Sequence, residues 1–237
     1  PFEYFDSKPF SEGLAAVCRP VDGEKAYDEW EYIDTEGKQV IPPLFSSAGQ
    51  FSNGMAVVEI SIHASMDELS YADGREYEGE SNAVINRQGK ILFASQHKII
   101  PSPSRCFAIM QIDYQAFRGR RLKAAWFVNE RGDRLNKEDY LSIRPMNEAR
   151  AFVKYTEEEK FSLIGGDFAV IARDLYDDAR FFSEGYCAVK VGAHWGYCDV
   201  SGKLVIPPQF SEAYDFEGGF ARVSIGNAQS SYPDLID

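Results

Sequence analysis

Residues 182–210 read FSEGYCAVKVGAHWGYCDVSGKLVIPPQF, and the chain writes the same phrase near its start: residues 10–45 read FSEGLAAV, then a loop, then EWEYIDTEGKQVIPPLF. The copies align at Phe10/Phe182, Gly13/Gly185, Trp30/Trp195, Asp34/Asp199, Gly37/Gly202 and the Ile-Pro-Pro of 41–43 and 206–208. A recurring unit marks a repeat protein, in which each unit buries its apolar face by stacking on its neighbours. Looser copies lie between. FxxGxAxV returns as FSNGMAVV (51–58), SRCFAIM (104–110), NEARAFV (147–153) and FEGGFARV (216–223). The second half returns as NAVINRQGKILF (82–93), AWFVNERGDRL (125–135) and, weakly, KFSLIGGDFAV (160–170). The glycine columns run Gly13, Gly54, Cys106, Ala149, Gly185, Gly219 and Gly37, Gly89, Gly132, Gly166, Gly202.

Each unit has a physical reading. AAV, AVV and CAVKV are short β-branched or apolar runs, as strands prefer. Trp195, Tyr197 and Asp199 alternate with Gly196 and Cys198, a period of two. Thr35-Glu36-Gly37-Lys38 and Val200-Ser201-Gly202-Lys203 predict hairpin turns with glycine at positive φ. Asp34 and Asp199, at the shoulders of these turns, are expected to bond turn amides. Pro42-Pro43 and Pro207-Pro208 lack ladder amides, so pairing is expected to stop there. The aromatic that follows, Phe45, Tyr176 or Phe210, is expected in the core. The expected fold is all-β: about five antiparallel meanders of three strands, with room for a fourth short one. The units fall roughly at 10–50, 51–103, 104–146, 147–181 and 182–225 of a single domain, with a tail at 226–237. A propeller-like ring is preferred, with an open β solenoid as the alternative.

The stretch HWGYCDVSGKLVIPPQFSEAYDF (194–216) resembles the WG-repeat (KWG) proteins of bacteria. Only Trp195-Gly196 keeps the Trp-Gly pair; the first unit has Trp30-Glu31, and Trp126 stands where the third unit's glycine belongs. The resemblance implies a binding or scaffold role and carries no catalytic residues.

At 44% hydrophobic, the 237 residues suffice for a sizeable core, and 17 Phe and 13 Tyr suit an aromatic-rich β interior. No apolar run approaches a membrane span, so no membrane insertion is expected. The opening residues do not read as a signal peptide. A cytoplasmic location is expected, or a periplasmic or envelope one if a leader was removed. Cys18, Cys106, Cys187 and Cys198 lack a CxxC spacing and read as buried free thiols, with a Cys187–Cys198 cross-strand disulfide as the alternative. The net charge of −12 disfavours nucleic acid and favours a basic partner.

The loops joining FxxGxAxV to the tryptophan strand, 18–29, 60–82, 111–124, 154–159 and 190–194, should emerge on one face of a meander array. The longest carries Asp67, Glu68, Asp73, Glu76, Glu78 and Glu80 with Tyr71 and Tyr77, against one Arg75; Tyr27, Asp28 and Glu29 close the first loop. Carboxylates mixed with tyrosine suit recognition of a basic protein. A solvated loop is the plainer alternative. Arg118, Arg120, Arg121 and Lys123 beside Phe117 suit phosphate or a salt bridge to the acidic loop. His63, His97 and His194 have no metal-ligand spacing, and no GxSxG, P-loop or GxGxxG occurs. Trp30, Trp126 and Trp195 fit core packing better than sugar stacking. The expectation is a non-enzymatic, cofactor-free module that binds another protein. Its sharpest form is an acidic immunity protein or inhibitor that neutralises a basic toxin; the alternative is a carbohydrate or cell-envelope binding repeat.

Overall fold

The computed structural model describes residues 4–19, 29–62, 64–75, 79, 81–113, 121–225 and 234–236. Among them the only helical element is one 3-10 turn, Met66–Glu68; the rest of the regular structure is antiparallel strand. The chain divides into two compact units, Pro1–Pro101 with Val128–Asp133, and Ser102–Phe127 with Arg134–Asp237.

The first unit holds a seven-stranded sheet in sequence order: β1 (Asp6–Ser7), β2 (Leu14–Arg19), β3 (Glu29–Asp34), β4 (Gln39–Ala48), β5 (Met55–Ile60), β6 (Asn82–Asn86) and β7 (Ile91–Ser95). These strands form two meanders that share β4. Its first half pairs with β3 and its second half with β5. Strand β8 (Lys98–Pro101) packs on β5 and β6.

In the second unit, β9 (Phe107–Asp113) and β10 (Arg121–Val128) belong to a third meander. A fourth follows as β11 (Ser142–Ile143), β12 (Arg150–Lys154), β13 (Phe161–Gly165) and β14 (Val170–Tyr176). The fifth is β15 (Asp178–Ser183), β16 (Tyr186–Val191), β17 (His194–Asp199) and β18 (Leu204–Phe210). The sixth is β19 (Glu212–Glu217), β20 (Phe220–Ser224) and β21 (Asp234–Ile236).

One expectation is filled in and one is corrected. The regular meander has four strands, because FxxG is a hairpin with a strand on either side. Consecutive residues take positive φ at Glu12-Gly13 (52°, 79°), Asn53-Gly54 (53°, 78°), Glu148-Ala149 (50°, 55°), Glu184-Gly185 (54°, 84°) and Gly218-Gly219 (63°, 84°). Two left-handed residues in a row make the tight turn whose twist matches that of paired strands. Pairing also does not stop at Pro-Pro. Strands β4 and β18 run through it, and Tyr197 pairs Ile206 while Trp195 pairs Phe210. The second interval is longer by two residues, so the prolines occupy a bulge where ladder amides are not required.

The repeat pattern also explains the core. Ala16 lies opposite Tyr32, and Ala188 opposite Tyr197, so a small residue faces each large ring. Neighbouring residues of β16 serve different cores: Cys187 and Val189 join Phe152, Leu163 and Phe182, whereas Ala188 joins Tyr197, Phe210 and Phe216. A strand buried on both faces reads as a continuous apolar run, as CAV does. The aromatics after the bulge, Phe45, Tyr176 and Phe210, are all buried.

Successive hairpins are latched. Ser11 Oγ donates to Phe51 O at 2.6 Å, and Glu12 accepts from Gly54 N at 2.8 Å. In the second unit Asn147 Nδ2 donates to Phe182 O at 2.7 Å, and Glu148 accepts from Gly185 N at 2.9 Å. Ser183 Oγ donates to Phe216 O at 2.7 Å, and Glu184 accepts from Gly218 N and Gly219 N at 2.7 and 2.8 Å. The polar letters of FSEG therefore join one meander to the next.

Candidate functional site

The insertion between β5 and β6 is the longest loop of the first unit, and its backbone is tied down in the middle. Leu69 and Tyr71 enter the core beside Ile85 and Ile91. Tyr71 forms an isolated parallel bridge with Ile91. Ile91 N donates to Ser70 O at 3.0 Å, and Ala72 N donates to Ile91 O at 2.7 Å. A turn closes over Tyr71, with Gly74 N on Tyr71 O at 3.0 Å and Tyr71 N on Arg75 O at 3.1 Å. Arg75 covers the Tyr71 ring at 4.3 Å and pairs with Asp73 at 2.9 Å. Hydrogen bonds from the Arg75 backbone and side chain hold the Asp73 carboxyl below its ordinary range.

The expected contact residues therefore separate. Asp67 and Glu68 lie exposed on the 3-10 turn. Tyr71 is 7% exposed and is a core residue, not a surface tyrosine. Asp73 is exposed, and Arg75 offsets its charge. Glu29 is half-buried and accepts from Ser61 Oγ at 3.4 Å, which joins the start of β3 to the base of the insertion. Tyr27, Asp28, Glu76, Tyr77 and Glu78 lie outside the described residues, as do Arg118 and Arg120. The Leu69/Tyr71 spacing of two was a strand-like signal inside an otherwise polar loop.

Each tryptophan is half-buried, with a cation over its ring. Lys8 lies 5.3 Å from Trp30, Arg134 lies 5.6 Å from Trp126, and Arg180 and Lys190 lie 5.3 and 5.7 Å from Trp195. One side of Trp195 packs on the Tyr197–Phe216 core. Its role is mainly packing, supplemented by a cation–π contact.

The four cysteines are buried free thiols; Cys187 and Cys198 face each other across β16 and β17, and burial pushes the Cys187 thiol well up. The turn acids act as expected. Asp34 Oδ1 accepts from Glu36 N and Lys38 N at 3.0 and 2.9 Å, and Asp199 Oδ1 from Ser201 N and Lys203 N at 2.9 and 3.1 Å. Among the described residues no group of three or more His, Cys, Asp or Glu is placed to hold a metal.

Residues 32–61, 170–193 and 195–227 match the model of the WG containing repeat. Three segments of the chain thus carry the WG repeat. Each matched segment runs from a late strand of one meander, through the FxxG hairpin, into the next. The WG repeat is thus out of phase with the meanders, and each matched segment spans two of them. No curated protein matches the chain in sequence. In structure it is similar to a eukaryotic initiation factor, at 10% identity and a TM-score of 0.50, over 99% of this chain and 64% of that one. The chain thus spans under two thirds of that protein's length. It is also similar to a calcium-binding protein, regucalcin, from Agrobacterium tumefaciens, at 11% identity and a TM-score of 0.40, over 94% and 82% of the two chains. The fold is all-β and propeller-like, and among the described residues the strands form separate antiparallel sheets with no closed barrel. WG repeats on such an array make a repeat interaction module.

Proposed function

We propose that the protein is a non-enzymatic module that binds a basic protein through the insertion between β5 and β6. The observation that carries this reading is the anchoring of that insertion. Leu69, Tyr71 and the bridge to Ile91 fix its backbone, so Asp67 and Glu68 stand on ordered main chain. A pre-ordered acidic turn loses less entropy on binding than a free loop. The net charge of −12 adds long-range steering of a cationic partner. The sharper form of this reading is an inhibitor or immunity protein that covers the positive site of a basic toxin.

The test starts from a partner recovered by co-purification from the protein's own cells. Its affinity is then measured at about 50 and about 300 mM salt, which shortens the screening length roughly 2.5-fold. The expected result is weaker association at high salt and in Asp67→Asn/Glu68→Gln, with the melting temperature unchanged. An affinity indifferent to both removes the acidic surface and the basic partner together.

A further inference from the structure

The fourth meander departs from the repeat at positions that gather on one cavity. In the first and fifth meanders the turn after the third strand places glycine at positive φ: Gly37 at 82° and Gly202 at 83°. Gly37 N donates to Asp34 O, and Asp34 N to Lys38 O. In the fourth meander the same two bonds are Phe168 N to Gly165 O and Gly165 N to Ala169 O. Phe168 therefore occupies the glycine position, at φ 63°. This also corrects the glycine column, which passes through Phe168 and not Gly166.

The return strand departs as well. Leu163 pairs Ala172 and Phe161 pairs Tyr176, the same two-residue bulge that Ile206 and Phe210 bracket in β18. Where the fifth meander has Pro207-Pro208, the fourth has Arg173-Asp174. A large side chain in the left-handed region is strained, and such strain persists where the surroundings impose it and clusters at functional sites.

Phe168 and Arg173 line a cavity of about 340 Å³ together with Tyr140 and Tyr155. Its aromatic wall is organised: Tyr140 and Tyr155 meet edge-to-face at 5.3 Å, Phe168 lies 5.5 Å from Phe127, and Arg173 covers Tyr155 at 4.9 Å. Four charged residues border it, Lys137 and Arg173 against Glu138 and Asp167. An anion would meet the two carboxylates, and a cation the two bases. A wholly apolar ligand would strip water from all four charges without replacing their hydrogen bonds. A neutral polyol with one C–H face suits both the rings and the mixed donors and acceptors, and the volume is that of a small-ligand site.

We infer that this cavity is a saccharide site: Phe168 and Tyr155 take the C–H face of a neutral sugar ring, and Arg173 with the carboxylates orders its hydroxyls. The site is separate from the acidic insertion and does not depend on it.

The experiment is saturation-transfer NMR and calorimetric titration with cellobiose, maltose and N,N′-diacetylchitobiose, with adenosine monophosphate as the control. At least one saccharide should bind. Phe168→Gly, which restores the repeat residue, and Tyr155→Ala should each weaken it by about ten-fold, the value of one aromatic contact. Both variants should keep the parent's β circular dichroism; if Phe168→Gly does not fold, Tyr155→Ala and Arg173→Gln decide. Silence from all three saccharides overturns the inference. So does equal binding by parent and variants, or preference for the nucleotide.

Discussion

The fourth and fifth meanders share strand order, bulge and turn hydrogen bonds, yet solve the bulge with different chemistry. In the fifth, Pro207 and Pro208 have no amide to satisfy, and Gly196 faces them with no side chain. A Cβ on Gly196 would lie 2.4 Å from Ile206 O and 2.8 Å from Pro208 N. In the fourth, Asp174 keeps its amide and Ser162 stands where Gly196 does. Ser162 Oγ accepts from Asp174 N at 3.1 Å. In the fifth meander the Trp-Gly pair and the Pro-Pro pair are thus two sides of one contact, and the fourth has neither. The first meander offers a third solution: Glu31 fills the glycine position, fully buried, and accepts from Gln39.

The comparison breaks most readily at Gly196. Gly196→Val should cost about 3 kcal/mol, the upper end for forcing atoms into a packed interior, and urea unfolding would measure it. A variant as stable as the parent would mean that the bulge yields and that the pair is not one contact. Ser162→Ala should cost about 1 kcal/mol, because it removes one hydrogen-bond acceptor. Tyr197→Phe should fall in the same range, since the buried Tyr197 hydroxyl donates to Tyr214 O at 2.8 Å.

The smallest effect is on pH dependence. Hydrogen bonds from Ser201 and Lys203 hold the Asp199 carboxyl below its ordinary range. A folded pKa lowered in this way contributes stability above the unfolded value, and that stability is lost as pH falls through the folded one. From about pH 4 downward the amide resonances of Ser201 and Lys203 should shift first. Asp199→Asn should abolish that shift, and a shift that persists in the variant would contradict the assignment to Asp199.

Much of this was legible in the chain. The repeat, the Asp-Gly turns and the buried aromatic after the bulge follow from residue type and spacing. Strands 150–154, 186–191 and 220–224 lie where the apolar runs put them. The first strand of each meander was not legible as a strand, because DARFFS and EAYDFE are short and mixed in polarity. The signal was in the turn: Glu-Gly, Asn-Gly and Gly-Gly before an apolar run mark a two-residue hairpin, which needs a partner strand upstream. Pro-Pro misled because a bulge tolerates what a regular ladder excludes. Tyr71 misled because its loop is acidic, while its burial depends on Ile91, twenty residues later. The fourth meander's turn was misplaced because Phe168 occupies the position that glycine marks elsewhere.

The central claim is that repeat residues hold the fold, whereas departures from the repeat in the fourth meander serve binding at a cost in stability. A reciprocal exchange tests it most directly: Gly202→Phe and Phe168→Gly, each compared with the parent by thermal unfolding. Gly202 has φ 83°, and a Cβ there would meet Leu175 at 2.8 Å, so Gly202→Phe should lose about 3 kcal/mol. Phe168→Gly should melt at or above the parent temperature, because relief of the left-handed strain offsets the lost contact with Phe127. A fall in Phe168→Gly as large as in Gly202→Phe would contradict the claim and make Phe168 an ordinary core residue.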